Sequence, residues 1–158
     1  MAEVADSSRT GGLRAVLLGA PGSGKGTQAE FLAASLGVPA ISTGAMLRDA
    51  VALGSALGSK VEGIMASGGL VDDELMAEVV RERLGRSDAA AGFLLDGYPR
   101  TTGQAETLDR ILEELGVRLD AVVLLEVPEA VLVQRAVARK RADDREEVVR
   151  ERLRVYGE

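Results

Sequence analysis

The stretch LLGAPGSGKGTQAE, Leu17 to Glu30, places glycines and a lysine where an apolar run meets the start of a helical pattern. The run, Leu13 to Leu18, reads as a buried strand. The pattern, Thr27 to Leu36, sets apolar residues at Ala29, Leu32, Ala33 and Leu36 and is closed by Gly37 and then Pro39. Between the two, glycines let successive N–H groups point into one concavity, a helix N-terminus adds positive potential, and Lys25 supplies a mobile charge. Such a corner cradles phosphate, and a strand before it and a helix after it are the context that the Walker A pattern requires. A glycine-rich turn with an incidental surface lysine is the plainer account, but it leaves the agreement of lysine, spacing and context unexplained. The corner offers Gly22, Ser23, Gly24, Lys25, Gly26 and Thr27 as phosphate-binding residues.

The rest of the composition bounds what surrounds this corner. At 158 residues with 46% apolar side chains, the chain supports one sizeable core and not two ordinary domains. Residues 1–12, MAEVADSSRTGG, are polar and acidic, lack an apolar h-region and read as a disordered leader, which leaves 13–158 as the folded domain. Aromatics are only 3%, so the core falls to Val, Leu, Ile and Ala, which suits a parallel sheet covered by helices: an α/β class. Nineteen basic against 25 acidic residues give −6, which argues against nucleic acid or a membrane surface as partner, so an anionic ligand must be held locally. No apolar run approaches the roughly 20 residues of a membrane span. The chain has no cysteine, hence no disulfide or thiolate metal site, and this fits a reducing compartment such as the cytoplasm. It has no histidine either, so proton shuttling would fall to carboxylates or lysine.

Along the chain, strand and helix signals alternate. Val38 to Ile41 is a short strand candidate, followed by helical patterns at Thr43 to Leu53, at Lys60 to Ala66, and from the cap Asp72 through Leu84. Phe93 to Leu95 reads as a third strand, Thr102 to Leu115 as a helix, and Ala121 to Val127 as a fourth strand. Pro128 is expected at the first position of a further helix, where its missing N–H costs nothing. Asp144 and Glu147 form a capping pattern for a last helix running to Tyr156.

Several polar residues carry chemistry with a plainer alternative beside it. Phe93-Leu-Leu-Asp96 is an apolar strand ending in a carboxylate, the Walker B arrangement, which holds magnesium directly or through water; otherwise Asp96 caps the turn after it. Arg100 leaves a turn stiffened by Pro99, where its fork of donors suits a phosphate. Thr43 reads as an N-cap as readily as a ligand, and Arg48 as a solvated helix residue. Arg135 and Arg139, four apart, share one helix face, and spacing alone leaves them, with Arg152, as solvated arginines.

One detail narrows these readings. Gly26 stands where a Ser or Thr usually follows the lysine, and the hydroxyl comes one place later, at Thr27. GAPGSGKGTQ, then ISTGAMLR, then LVDDEL, then FLLDGYPRTTGQAE, in that order, closely resembles the adenylate kinases of the nucleoside-monophosphate kinase group, from about Arg14 to Tyr156. The resemblance implies a three-layer P-loop NTPase fold, a parallel sheet flanked by helices, with 42–71 as a small helical AMP-binding insertion. It implies the reaction MgATP + AMP ⇌ 2 ADP, with ATP, AMP and ADP as ligands and Mg2+ held by Asp96 through water and by Thr27. It places Arg135 and Arg139 with the cradle on the ATP side. On the AMP side it places Thr43, Arg48, Gly69, Leu70, Val71, Gln104 and the turn Gly97, Tyr98, Pro99, Arg100. Arg141 and Arg152 join the phosphate clamps, with Asp143 and Asp144 orienting guanidiniums or capping a helix. Phosphoryl transfer to an anionic oxygen needs no strong base, so the missing histidine is no obstacle. Two alternatives stand beside this: a UMP/CMP-type kinase, disfavoured by Gln104 within TTGQAE, and a non-catalytic P-loop nucleotide-binding module.

The sequence departs from the family pattern at several points. The usual lid, inserted between the equivalents of Arg139 and Arg141, is reduced to Lys140, which predicts poorer shielding of the nucleotide from water. Ala45 follows the STG motif where many relatives carry an acid, leaving Asp96 more of the magnesium's water shell. Gly69 stands where a longer side chain is common, which loosens base selectivity. The sequence stops at Val155-Tyr156-Gly157-Glu158, before the family's last strand and final helix, so Ala121 to Val127 is expected as an exposed edge and a surface for self-association.

Overall fold

The computed structural model describes residues 12–20, 22–67 and 71–139, with 147, 150, 151, 153 and 154 beyond them. Four parallel strands, β1 (Arg14–Gly19), β2 (Ala40–Ser42), β3 (Phe93–Asp96) and β4 (Ala121–Leu125), form one sheet in the order β2-β3-β1-β4. Ala15 pairs with Leu94 on one side and Ala121 on the other, so β1 is buried between two neighbours. Its side chains divide with the strand period of two. Ala15, with Leu94 of β3, packs with Ala33 and Val38 against α1 (Lys25–Leu36). Val16, with Phe93 and Leu95, packs into the larger core under α4 (Asp73–Leu84) and α5 (Thr102–Glu114), where Val80, Leu108 and Ile111 are buried. Helix, sheet and helix make the three layers expected from the sequence, and the aliphatic strands explain them: a strand buried on both faces needs helices on both.

Between β2 and β3 the chain leaves the sheet to form α2 (Thr43–Ala52) and α3 (Ala56–Ala66) before returning through α4. α3 starts at Ala56, four residues ahead of the expected Lys60, because Ser55 caps it: its Oγ accepts from the Gly58 N–H at 2.9 Å. Gly58, which looks like a helix breaker, is where α3 rests on α2, since a Cβ there would overlap the Ala50 carbonyl. Backbone cannot move aside as a side chain can. Gly58→Val is therefore expected to lower the free energy of unfolding by about 1–3 kcal/mol, the usual cost of overpacking. Denaturant melts check it, and unchanged stability would disprove this α2–α3 contact.

Other boundaries shift for local reasons. α1 begins at Lys25 and not Thr27, because the glycine loop runs straight into the helix. β4 ends at Leu125, two residues short of Val127, so the edge is shorter than expected; Val122, Val123 and Leu124 are exposed along it. Pro128 is not the first residue of α6 (Glu129–Arg139) but its cap: the Pro128 carbonyl accepts from the N–H groups of Val131 and Leu132. Asp144, expected to cap a last helix with Glu147, lies outside the described residues, as do residues 1–11 of the expected leader.

Candidate functional site

All four strands run in one direction, so their carboxyl ends share one edge of the sheet, and the turns leaving that edge carry the polar residues. β1 gives way to the glycine loop. Gly24, the N-cap of α1, sits at φ 94°, a conformation that side-chain-bearing residues rarely adopt. No side chain caps the helix, so its first N–H groups remain directed at whatever enters the loop. Lys25 folds back over the loop, its Nζ donating to the carbonyls of Gly19 at 2.8 Å and Ala20 at 3.3 Å. Ser23 is buried, and its Oγ has no hydrogen-bond partner.

β3 delivers Asp96 to the same place. A Cβ built on Gly26 would lie 4.0 Å from its Oδ2, so the carboxylate faces the first turn of α1. Burial pushes the Asp96 carboxyl above its ordinary value, against the pull of Lys25 and Arg100. Burial lowers Lys25, which Asp96 partly restores and Arg100 lowers further. Arg135 arrives from α6, its guanidinium donating to the Gly22 carbonyl at 3.4 Å, and Arg139 closes the same helix. Thr27 lies exposed on the first turn of α1.

The turn after Asp96 links this cradle to the inserted helices. Tyr98–Pro99 is a cis peptide bond, and the Tyr98 ring is buried in the core, anchoring the turn. Arg100 bends back, with Nε donating to the Gly97 carbonyl at 2.8 Å. Gly97 abuts Thr43: a Cβ on Gly97 would lie 2.7 Å from Thr43 Oγ1, a buried hydroxyl without a partner. Ser42, not Thr43, is the N-cap of α2, accepting from the Ala45 N–H at 3.1 Å, so capping does not occupy the Thr43 hydroxyl. Arg48 lies exposed on α2 and lines an apolar cleft with Val51, Ala52, Glu62 and Ala66. Val71 packs on the core just before the α4 cap. Gly69, Leu70, Arg141 and Arg152, with Lys140, Asp143 and Asp144, lie outside the described residues.

The family profile described as Adenylate kinase matches residues 17–158. The chain belongs to the adenylate kinase family. Adenylate kinase 1 of Synechocystis sp. is 53% identical over 143 residues, covering 90% of this chain and 76% of the relative. The adenylate kinase of Thermobifida fusca is 50% identical over 150 residues, covering 92% and 79%. That of Xanthomonas campestris pv. campestris is 51% identical over 148 residues, covering 91% and 79%.

Within this adenylate kinase framework, two groups of contacts escaped sequence reasoning. Arg83, 9% exposed on α4, pairs bidentately with Asp88 at 2.8 Å and approaches Asp49 of α2 at 3.9 Å, while Arg86 reaches Asp49 at 3.8 Å. Arg83 holds the Asp88 carboxyl below its ordinary value. The only sequence signal was a cluster of opposite charges that also fits a solvated face. The second group joins Gln104 to Asp73: Gln104 Nε2 donates to Asp73 Oδ1 at 2.7 Å, and Gln104 Oε1 accepts from the Arg100 N–H at 2.7 Å. By position Asp73, beside the cap Asp72, is an ordinary first-turn acid, and no local signal marks its bond to Gln104.

Proposed function

We propose that this chain transfers the γ-phosphoryl group of MgATP reversibly to AMP, giving two ADP. The observation that carries this is convergence: Lys25 from α1, Asp96 from β3, Arg100 from the following turn and Arg135 from α6 meet around one glycine loop. Ser23 Oγ in the loop and Thr43 Oγ1 at the start of α2, two of the three buried hydroxyls without a partner among the described residues, support it; the third, Tyr98 OH, lies in the core. Beside a glycine loop with an uncapped helix N-terminus, such an atom is free to bond a ligand oxygen.

In this reading residues 22–27 hold the ATP phosphates, with Arg135 and Arg139 beside them. Arg100, Arg141 and Arg152 clamp the transferring and acceptor phosphates. The insertion 42–71 supplies the AMP pocket, with Thr43, Arg48, Gly69, Leu70 and Val71 from the insertion and Gln104 from α5. The donor set fits magnesium: one carboxylate, Asp96, and one hydroxyl, Thr27, suit an ion that takes its remaining ligands from phosphate and water. Among the described residues no cluster of three metal-ligating side chains competes with it. Held there, the ion would neutralise phosphate charge. The protein aligns donor and acceptor oxygens and surrounds them with cations. No helix among the described residues is long and apolar enough to cross a membrane, and a cytoplasmic site of action completes the reading.

ADP production measured with AMP, UMP, CMP and GMP as acceptors tests the proposal. Fastest turnover with AMP is expected. Preference for UMP or CMP would make the chain a pyrimidine-type kinase, and nucleotide binding without any ADP would make it a non-catalytic module. Gln104→Ala is expected to raise KM for AMP about tenfold, because a site built to hydrogen-bond a base is left with unpaired groups, while KM for MgATP barely moves. Equal losses for both nucleotides would place the acceptor site elsewhere.

A further inference from the structure

We propose that Asp73 is a positioning residue that fixes which way the Gln104 amide faces, and that this orientation makes the acceptor pocket read 6-amino purines over 6-oxo purines. The inference rests on the proposed function, in which Gln104 meets the base of the monophosphate.

A primary amide is nearly symmetric in shape but opposite in chemistry at its two ends. Left free, it can turn over and present either a donor or an acceptor to a base. Here both ends are engaged. The Arg100 N–H can only donate, so it demands oxygen, and Gln104 Oε1 meets it at 2.7 Å. The Asp73 carboxylate, when ionised, can only accept, so it demands the NH2 group, and Gln104 Nε2 meets it at 2.7 Å. Flipping the amide would set donor against donor at one end and oxygen against carboxylate at the other. The Gln104 backbone is pinned as well, because its N–H donates to Thr101 Oγ1, the cap of α5, at 3.2 Å.

Each end keeps one further hydrogen-bonding valence: a lone pair on Oε1 and a hydrogen on Nε2. That pair complements the 6-amino group and unprotonated N1 of adenine. It opposes the 6-oxo group and N1–H of hypoxanthine or guanine, for which the flipped amide is the better match. Asp73 lies in the first turn of α4, where the chain returns from the insertion two residues after Val71, so it ties base reading to that return.

Steady-state kinetics with AMP and IMP as acceptors test this, on the full chain carrying Asp73→Ala, Asp73→Asn or Gln104→Ala. Asp73→Ala is expected to raise KM for AMP about tenfold, the scale of one charge-assisted hydrogen bond. It should also reduce the AMP-to-IMP ratio of kcat/KM by a similar factor, with less effect on KM for MgATP. Asp73→Asn retains an oxygen acceptor and should recover most of the discrimination, although it loses the charge as completely as alanine does. If alanine and asparagine behave alike, the effect comes from charge at the α4 N-terminus and the proposal falls. The proposal also falls if neither changes discrimination while Gln104→Ala does, although Gln104 would then still be a base contact. If Gln104→Ala itself leaves AMP untouched, the reading of Gln104 as a base contact fails, and the inference with it.

Discussion

Lys25→Met is expected to lower kcat about 10²–10³-fold while the protein still folds, the scale seen when one preorganised donor is removed from developing charge. Methionine keeps the unbranched stem and roughly its volume, so packing changes little. What is lost is the one mobile cation of the loop, whose Nζ now rests on the carbonyls of Gly19 and Ala20. Burial opposes its charge, so loss of that charge is not expected to unfold the protein. Single-turnover assays and a thermal melt separate the two effects. A variant that transfers phosphate normally, with unchanged MgATP affinity, would end the assignment of this loop to ATP.

Asp96→Asn is expected to separate function from stability in opposite directions. Activity should fall about 10–100-fold, the usual cost of losing a partner that acts on a metal through bound water. Stability should rise. The Asp96 carboxyl is raised in the folded protein from its ordinary value of 3.8, chiefly by burial. Ionising it therefore costs more in the folded chain than in the unfolded one. That penalty is absent below the unfolded value, grows as pH rises toward the folded one, and is complete above it. At neutral pH Asp96→Asn should melt higher than the parent, and the advantage should vanish as pH falls below the unfolded value. A lower melting temperature at neutral pH would mean that Lys25 and Arg100 outweigh burial.

The sequence made the layers legible because its signals were redundant: aliphatic strands, helices punctuated by glycine, and a loop whose composition has one good physical use. That the glycine loop from Gly22 to Thr27 and Asp96 come together was legible for the same reason, since the loop follows β1 and Asp96 ends β3 at the same edge of the sheet. The start of α3 was not legible, because Gly58, a residue that weakens an isolated helix, is the one that lets two helices touch. Pro128 was misplaced by a single position, since proline's fixed φ serves a cap as well as a first turn. Asp73 and Arg83 were invisible as partners because their bonds span elements: Asp73 reaches Gln104 31 residues on, and Arg83 approaches a carboxylate on α2. Local patterns report periodicity and caps, but not which charged side chain meets which across a groove.

The unequal partners of Arg83 set what any movement of α2 against α4 would cost. Arg83 is nearly buried, so it cannot be left without a counter-charge, yet its short bidentate pair is with Asp88, beside the core, and only the 3.9 Å contact is with Asp49 on α2. Asp49 itself is half exposed and can turn to water when it lets go. If α2 swings, the guanidinium keeps the close partner and gives up the distant one. Arg83 and Arg86, at 3.9 and 3.8 Å from Asp49, thus join α2 to α4 as a tether with slack, one that costs little to release.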